Sequence, residues 1–121
     1  MRALTINGEP WRVIRVPVGD PRLIDRTGEA RLATTNPKDK TICIRDDIMP
    51  PLLDKVVLHE VAHAITVSWD MLGPLRSLVP REASVYVEEW AAKLVEDHSI
   101  EAIDAASEIL GRPVCVRGRC A

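Results

Sequence analysis

The sequence predicts an α+β fold, a small sheet of two hairpins followed by three helices, and three observations predict it. β-prone runs punctuated by turn residues fill about the first 45 positions, Pro50-Pro51 marks a change of period, and apolar residues recur at helical spacing from there to Gly111. With 121 residues the chain reads as one domain, residues 1–121, able to bury a core without a metal or disulfide to hold it.

In order along the chain, "ALTI" and "WRVIRV" are strand-like runs separated by Asn7-Gly8, a strong hairpin signal, so residues 3–17 are expected to form the first hairpin. "PVGDPRLIDRTG" is interrupted by Pro and Gly and reads as loop. "EARLATT", "NPKDK" and "TICIR" read as a second hairpin, with Thr41, Cys43 and Arg45 on one face and Ile42 and Ile44 on the other. From Pro50-Pro51 a helix is expected to run to about Trp69, favoured by Asp46, Asp47 and Asp54 near its positive end. Gly73-Pro74 breaks the chain. Pro80 opens a second helix, with Glu82 in its first turn, that runs to about Asp97. Ser99 is suited to cap a third, which stops at Gly111, and "PVCV" beyond it is a candidate short strand.

The charge balance, 16 Lys and Arg against 18 Asp and Glu, gives no field that would gather nucleic acid or anionic lipid. No stretch has the length of a secretory apolar region or a membrane span, so a cytoplasmic protein is expected. Cys43, Cys115 and Cys120 are odd in number and lack CxxC spacing, which reads as free thiols.

The first helix carries the chemistry. In "VVLHEVAHAI", residues 56–65, the polar side chains are His59, Glu60 and His63. Burying such groups without partners costs roughly 1–3 kcal/mol each. They form HExxH, whose i, i+4 spacing puts both imidazoles on one helix face, as two ligands of a tetrahedral zinc site require. Leu53, Val57, Leu58, Val61, Ala64 and Ile65 cover most of the remaining circumference, so the helix is expected to be buried nearly all round with the motif as its polar stripe.

A catalytic zinc needs a third protein ligand and an open position. Downstream candidates are Asp70, Glu82, Glu88, Glu89 and His98. On "PREASVYVEEWAAKLVED", Val87, Trp90, Ala91, Leu94 and Val95 define an apolar face; Glu88 lies at its edge, and Glu89 falls opposite with Glu96, within reach of Lys93. Helical phase thus points Glu88 inward and Glu89 to water, with His98 as the alternative ligand.

"LLDKVVLHEVAHAI" followed by "VEEWAAKL" resembles the small HExxH…E zinc peptidases of phages and prophages, relatives of the ImmA/IrrE-type metallopeptidases in the gluzincin group of zincins. The likeness covers roughly residues 30 to 97 and rests on the HExxH helix and on Glu88, Ala91 and Leu94; residues 1–25 and the tail, 112–121 included, match nothing in it. It implies a minimal zincin-like domain, in the host cytoplasm if phage-encoded, with Zn2+ held by His59, His63 and Glu88 and a protein or peptide as substrate. Glu60 would act as general base, and an edge strand, "TICIR" or "RLATT", would bind the extended substrate. Tyr86 is a candidate oxyanion donor, although a helical tyrosine more often packs. The HExxHxxGxxH extension of other zincins is absent, since Thr66 and Trp69 occupy the relevant positions. The rival reading is a catalytically silent, zincin-shaped binding module that docks a repressor or phage protein.

Overall fold

The structure is a computed structural model and describes residues 2–116, 119 and 120. Both expected hairpins form: β1 (Arg2–Ile6) pairs antiparallel with β2 (Glu9–Val16), and β3 (Ala33–Asn36) pairs antiparallel with β4 (Thr41–Arg45). Asn7 and Gly8 both have positive φ, 50° and 75°, as the two-residue turn requires. The hairpins join through a parallel β2·β4 pair, giving the order β1-β2-β4-β3. β3, the "RLATT" strand, is therefore an edge, and "TICIR" is internal.

Alternation along the strands sorts the core. Trp11, Ile42 and Ile44 face α1 (Leu52–Ser68) and pack with Ile48 and Ala64, while Val16, Leu23 and Cys43 form a smaller cluster on the opposite face. Trp11 is fully buried, and its indole N–H donates to Ser68 Oγ at 2.8 Å; Asn7 Nδ2 donates to Ser68 O at 2.9 Å. The β1–β2 turn thus fixes the last turn of α1. At the other end Arg15 spans the link from β4 to α1, donating to the carbonyls of Arg45, Asp46 and Ile48. α1 is not buried all round: Ile65 and Val67 reach solvent, and the buried face instead holds Glu60, His63, Thr66 and Ser68 beside Ala62 and Ala64.

After α1, Gly73-Pro74 opens a short helix, α2 (Gly73–Arg76), rather than only breaking the chain. The two helices expected from Pro80 to Gly111 are one: a 3-10 turn at Arg81–Ala83 leads into α3 (Ser84–Leu110), 27 residues without interruption. Nothing between Asp97 and Ser99 forbids helical dihedrals, and stopping there would forfeit backbone hydrogen bonds, so Ser99 lies inside the helix and caps nothing. Gly111, at φ 69°, ends it as expected.

α3 is also turned relative to the expected face. Trp90 and Leu94 are 68% and 48% exposed, whereas Ala92 is 1% exposed against α1. The stripe that α1 offers to α3 is polar, so polar matching and the close approach allowed by Ala92 outweigh the apolar periodicity.

Beyond Gly111, β5 (Cys115–Val116) pairs with β6 (Arg119–Cys120), with Cys115 opposite Cys120. Cys115 is disulfide-bonded, which overturns the free-thiol reading for that residue; a hairpin can juxtapose cysteines that an odd count and absent CxxC spacing do not suggest. Cys43 is free and buried, and the side chain of Cys120 lies outside the described residues. Among the described residues no helix is long and apolar enough to cross a membrane.

Candidate metal centre

α1 and α3 pack side by side, and the HExxH residues meet three carboxylates of α3. His59 Nε2 and His63 Nε2 are 3.2 Å apart. Glu89 closes the group: its Oε1 is 3.2 Å from His63 Nε2 and its Oε2 3.3 Å from His59 Nε2. Zinc ligands at about 2.0–2.1 Å in a tetrahedron lie about 3.3–3.4 Å from one another. The histidine nitrogens have that spacing, each is as close to a different Glu89 oxygen, and His59, His63 and Glu89 together form a group that could hold a metal ion.

Glu88, which helical phase aimed at this position, is instead on the far edge of the His63 ring. Its Oε1 is 2.8 Å from His63 Nδ1, and its Oε2 accepts from Arg26 at 3.4 Å. The turn of α3 noted above accounts for the exchange: Glu88 remains the more enclosed, with 17% of its side chain exposed against 52% for Glu89, but it meets Nδ1 rather than Nε2. In the neutral ring this hydrogen bond favours the proton on Nδ1 and a lone pair on Nε2. That lone pair then faces a Glu89 oxygen at 3.2 Å, a repulsive contact unless a cation or a proton lies between them. Glu96 Oε1 stands 3.7 Å from His59 Nδ1, so a carboxylate borders the outer nitrogen of each ring.

Without a metal, burial lowers the pKa of His63, but the Glu88 hydrogen bond and the charges of Glu60, Glu89 and Glu88 outweigh it and the net shift is upward. The His63 hydrogen bond holds Glu88 below the usual glutamate value against the opposing effect of burial. Arg26 reaches Glu88 from a loop organised by Asp25, which accepts from the Thr27 N–H and hydroxyl, the Glu29 N–H and Arg31 Nε. A cavity of about 220 Å³ lies behind this pair, lined in part by Arg26, Thr66, Asp70, Arg76 and Glu88.

Glu60 is 8% exposed and lies outside the His59, His63 and Glu89 donor group. Thr35, on the edge strand β3, donates to Glu60 Oε2 at 2.5 Å. Sequence reasoning missed Thr35, because the pairing spans two elements and no local pattern encodes it. The remaining candidates are not brought to the cluster: His98 pairs with Glu101 at 3.1 Å on the solvent side, and Tyr86 is 77% exposed. The chain matches no family model, and neither curated proteins nor solved structures provide a match.

Proposed function

We propose that this protein is a zinc-dependent peptidase of the HExxH…E kind, with His59, His63 and Glu89 as metal ligands. The observation that carries the reading is the convergence of His59 Nε2 and His63 Nε2, 3.2 Å apart, on the two oxygens of the Glu89 carboxylate, with Glu60 outside the donor set. When bound, zinc supplies a Lewis acid and brings the pKa of water towards about 7. Glu60 accepts the attacking water's proton and delivers it to the leaving nitrogen of the scissile peptide. Glu88 orients His63 through Nδ1 and raises its donor strength, and Arg26 holds Glu88 in turn. The free edge of β3 is the surface on which an extended peptide can add as a further strand.

The test is metal content by elemental analysis, followed by cleavage of an unstructured protein such as casein by the zinc-loaded chain and by Glu60→Gln. One zinc per chain with cleavage lost in Glu60→Gln is the expected result. A second reading, a binding module that keeps the metal site and does not hydrolyse, is favoured by the exposed Tyr86, Trp90 and Leu94 at i, i+4 and i+8 on α3. One zinc per chain without cleavage of any substrate is the outcome that selects it.

A further inference from the structure

Thr35 is the one side chain of the sheet that hydrogen-bonds the HExxH motif among the described residues. It lies on β3 two positions from the buried Ala33, so strand alternation turns both towards α1. Its hydroxyl is 2.5 Å from Glu60 Oε2 and 3.3 Å from Glu60 O, so the shorter contact, to the carboxylate, takes the single hydroxyl proton. No described residue bonds Glu60 Oε1. The carboxylate is therefore anchored by one oxygen while the other stays available.

A glutamate side chain has three rotatable bonds and, held only by its backbone, samples several rotamers. A general base works only in the rotamer that reaches the proton it accepts. Here the partner comes from a different element, and β3 is itself held in register on β4, with Thr35 opposite Ile42. The fold thereby ties the orientation of the base on α1 to the edge strand on which a peptide substrate would add.

We infer that Thr35 is a positioning residue that orients Glu60 by anchoring Oε2 and leaving Oε1 free to accept a proton. This rests on the peptidase reading for the role of Glu60, but its test requires no substrate. Acetohydroxamic acid binds an open zinc site and gives its hydroxyl proton to a correctly placed carboxylate, so its affinity reports the placement of Glu60. Isothermal titration with this probe is to be run on zinc-loaded wild type, Thr35→Val, Thr35→Ser and Glu60→Gln, with zinc content and thermal melts checked for each.

Thr35→Val should weaken acetohydroxamate about tenfold, the lower end for one hydrogen bond to a charged group, with zinc retained. Thr35→Ser should restore binding to within about twofold, since the hydroxyl is retained. Adding Thr35→Val to Glu60→Gln should cost nothing further, because the threonine acts through Glu60. If Thr35→Val folds poorly, Thr35→Ala is the second variant and the Ser comparison still applies. Unchanged affinity in Thr35→Val and Thr35→Ala while Glu60→Gln loses it overturns the inference, as does equal loss in Thr35→Ser and Thr35→Val. Failure to cleave any peptide together with the expected hydroxamate pattern rejects the peptidase reading and leaves the positioning role of Thr35 in place.

Discussion

On its sheet side α1 presents Leu53, Val57, Val61 and Ala64 to a core built on Trp11, Ile42 and Ile44, whereas on the side turned to α3 it presents His59 and His63 to Glu88, Glu89 and Glu96. The first contact is apolar and non-directional, so its strength follows the area removed from water and tolerates conservative exchange. The second depends on the placement of individual atoms. It also gathers three carboxylates around two imidazoles; Arg26 pairs with Glu88 and Lys93 with Glu96, while among the described residues Glu89 pairs only with the histidines, a contact that a cation or a protonated histidine relieves. The two interfaces should therefore respond differently to substitution, metal and pH.

The largest effect is expected for His59→Ala combined with His63→Ala. Removing two of the three proposed ligands should reduce zinc affinity by roughly three orders of magnitude or more while the sheet-side core keeps the chain folded. A chelator-competition titration beside a circular dichroism spectrum checks both halves; equal zinc binding in wild type and variant would remove the metal from the account. Next is Glu60→Gln, which should retain zinc and lower any peptide hydrolysis by roughly 10²–10⁴-fold, since an amide cannot act as base. Single-turnover assays on metal-matched samples measure it.

The two neighbouring glutamates sharpen the comparison further. Glu88→Ala should weaken zinc roughly 10–100-fold through the loss of His63 orientation, and Glu89→Ala should weaken it more, as the proposed ligand. The same competition titration on both variants decides, and a larger loss for Glu88→Ala would restore the assignment that helical phase alone suggests.

pH separates the interfaces without mutation. In the metal-free protein His63 is raised, so its contribution is complete below the ordinary 6.5 and is lost as pH rises through the raised value. Glu88 is lowered, so its contribution is complete above the ordinary 4.5 and is lost as pH falls through the lowered value. The melting temperature of the metal-free chain should therefore be highest between pH 4.5 and 6.5 and decline on both sides, and His63→Ala should flatten the alkaline decline. Zinc competes with the proton on His63, so zinc affinity should fall as pH drops below the raised value.

The smallest effect is expected on the outer face of α3, in contrast to its buried face. Trp90→Ser, at a 68% exposed position, should change stability by no more than about 0.5 kcal/mol. Ala92→Leu, at a 1% exposed position between the helices, should cost about 1–3 kcal/mol by overpacking. Urea denaturation of both variants measures the contrast, and reversed sensitivities would mean that α3 is turned the other way.

Local sequence was sufficient for the two hairpins, the start of α1, the end of α3 and the facing of His59 and His63. Each is governed by short-range physics: positive φ at Asn7-Gly8 and Gly111, the two-residue period of "TICIR", and the i, i+4 geometry of a helix. The continuity of α3 through Ser99 was not legible, because a serine that can cap a helix can equally lie within one, and backbone cooperativity decides between them. Which glutamate meets the histidine pair was also decided by the tertiary structure. Glu88 and Glu89 differ by only about 100° in phase, so the rotation of α3 against α1 selects between them, and that rotation is expressed in contacts between distant residues such as His63 and Glu88, 25 apart in sequence. The pairing of Thr35 with Glu60 is of the same kind: the sequence supplies a threonine on a strand and a glutamate on a helix, and only the docking of α1 on the edge of the sheet brings oxygen to oxygen.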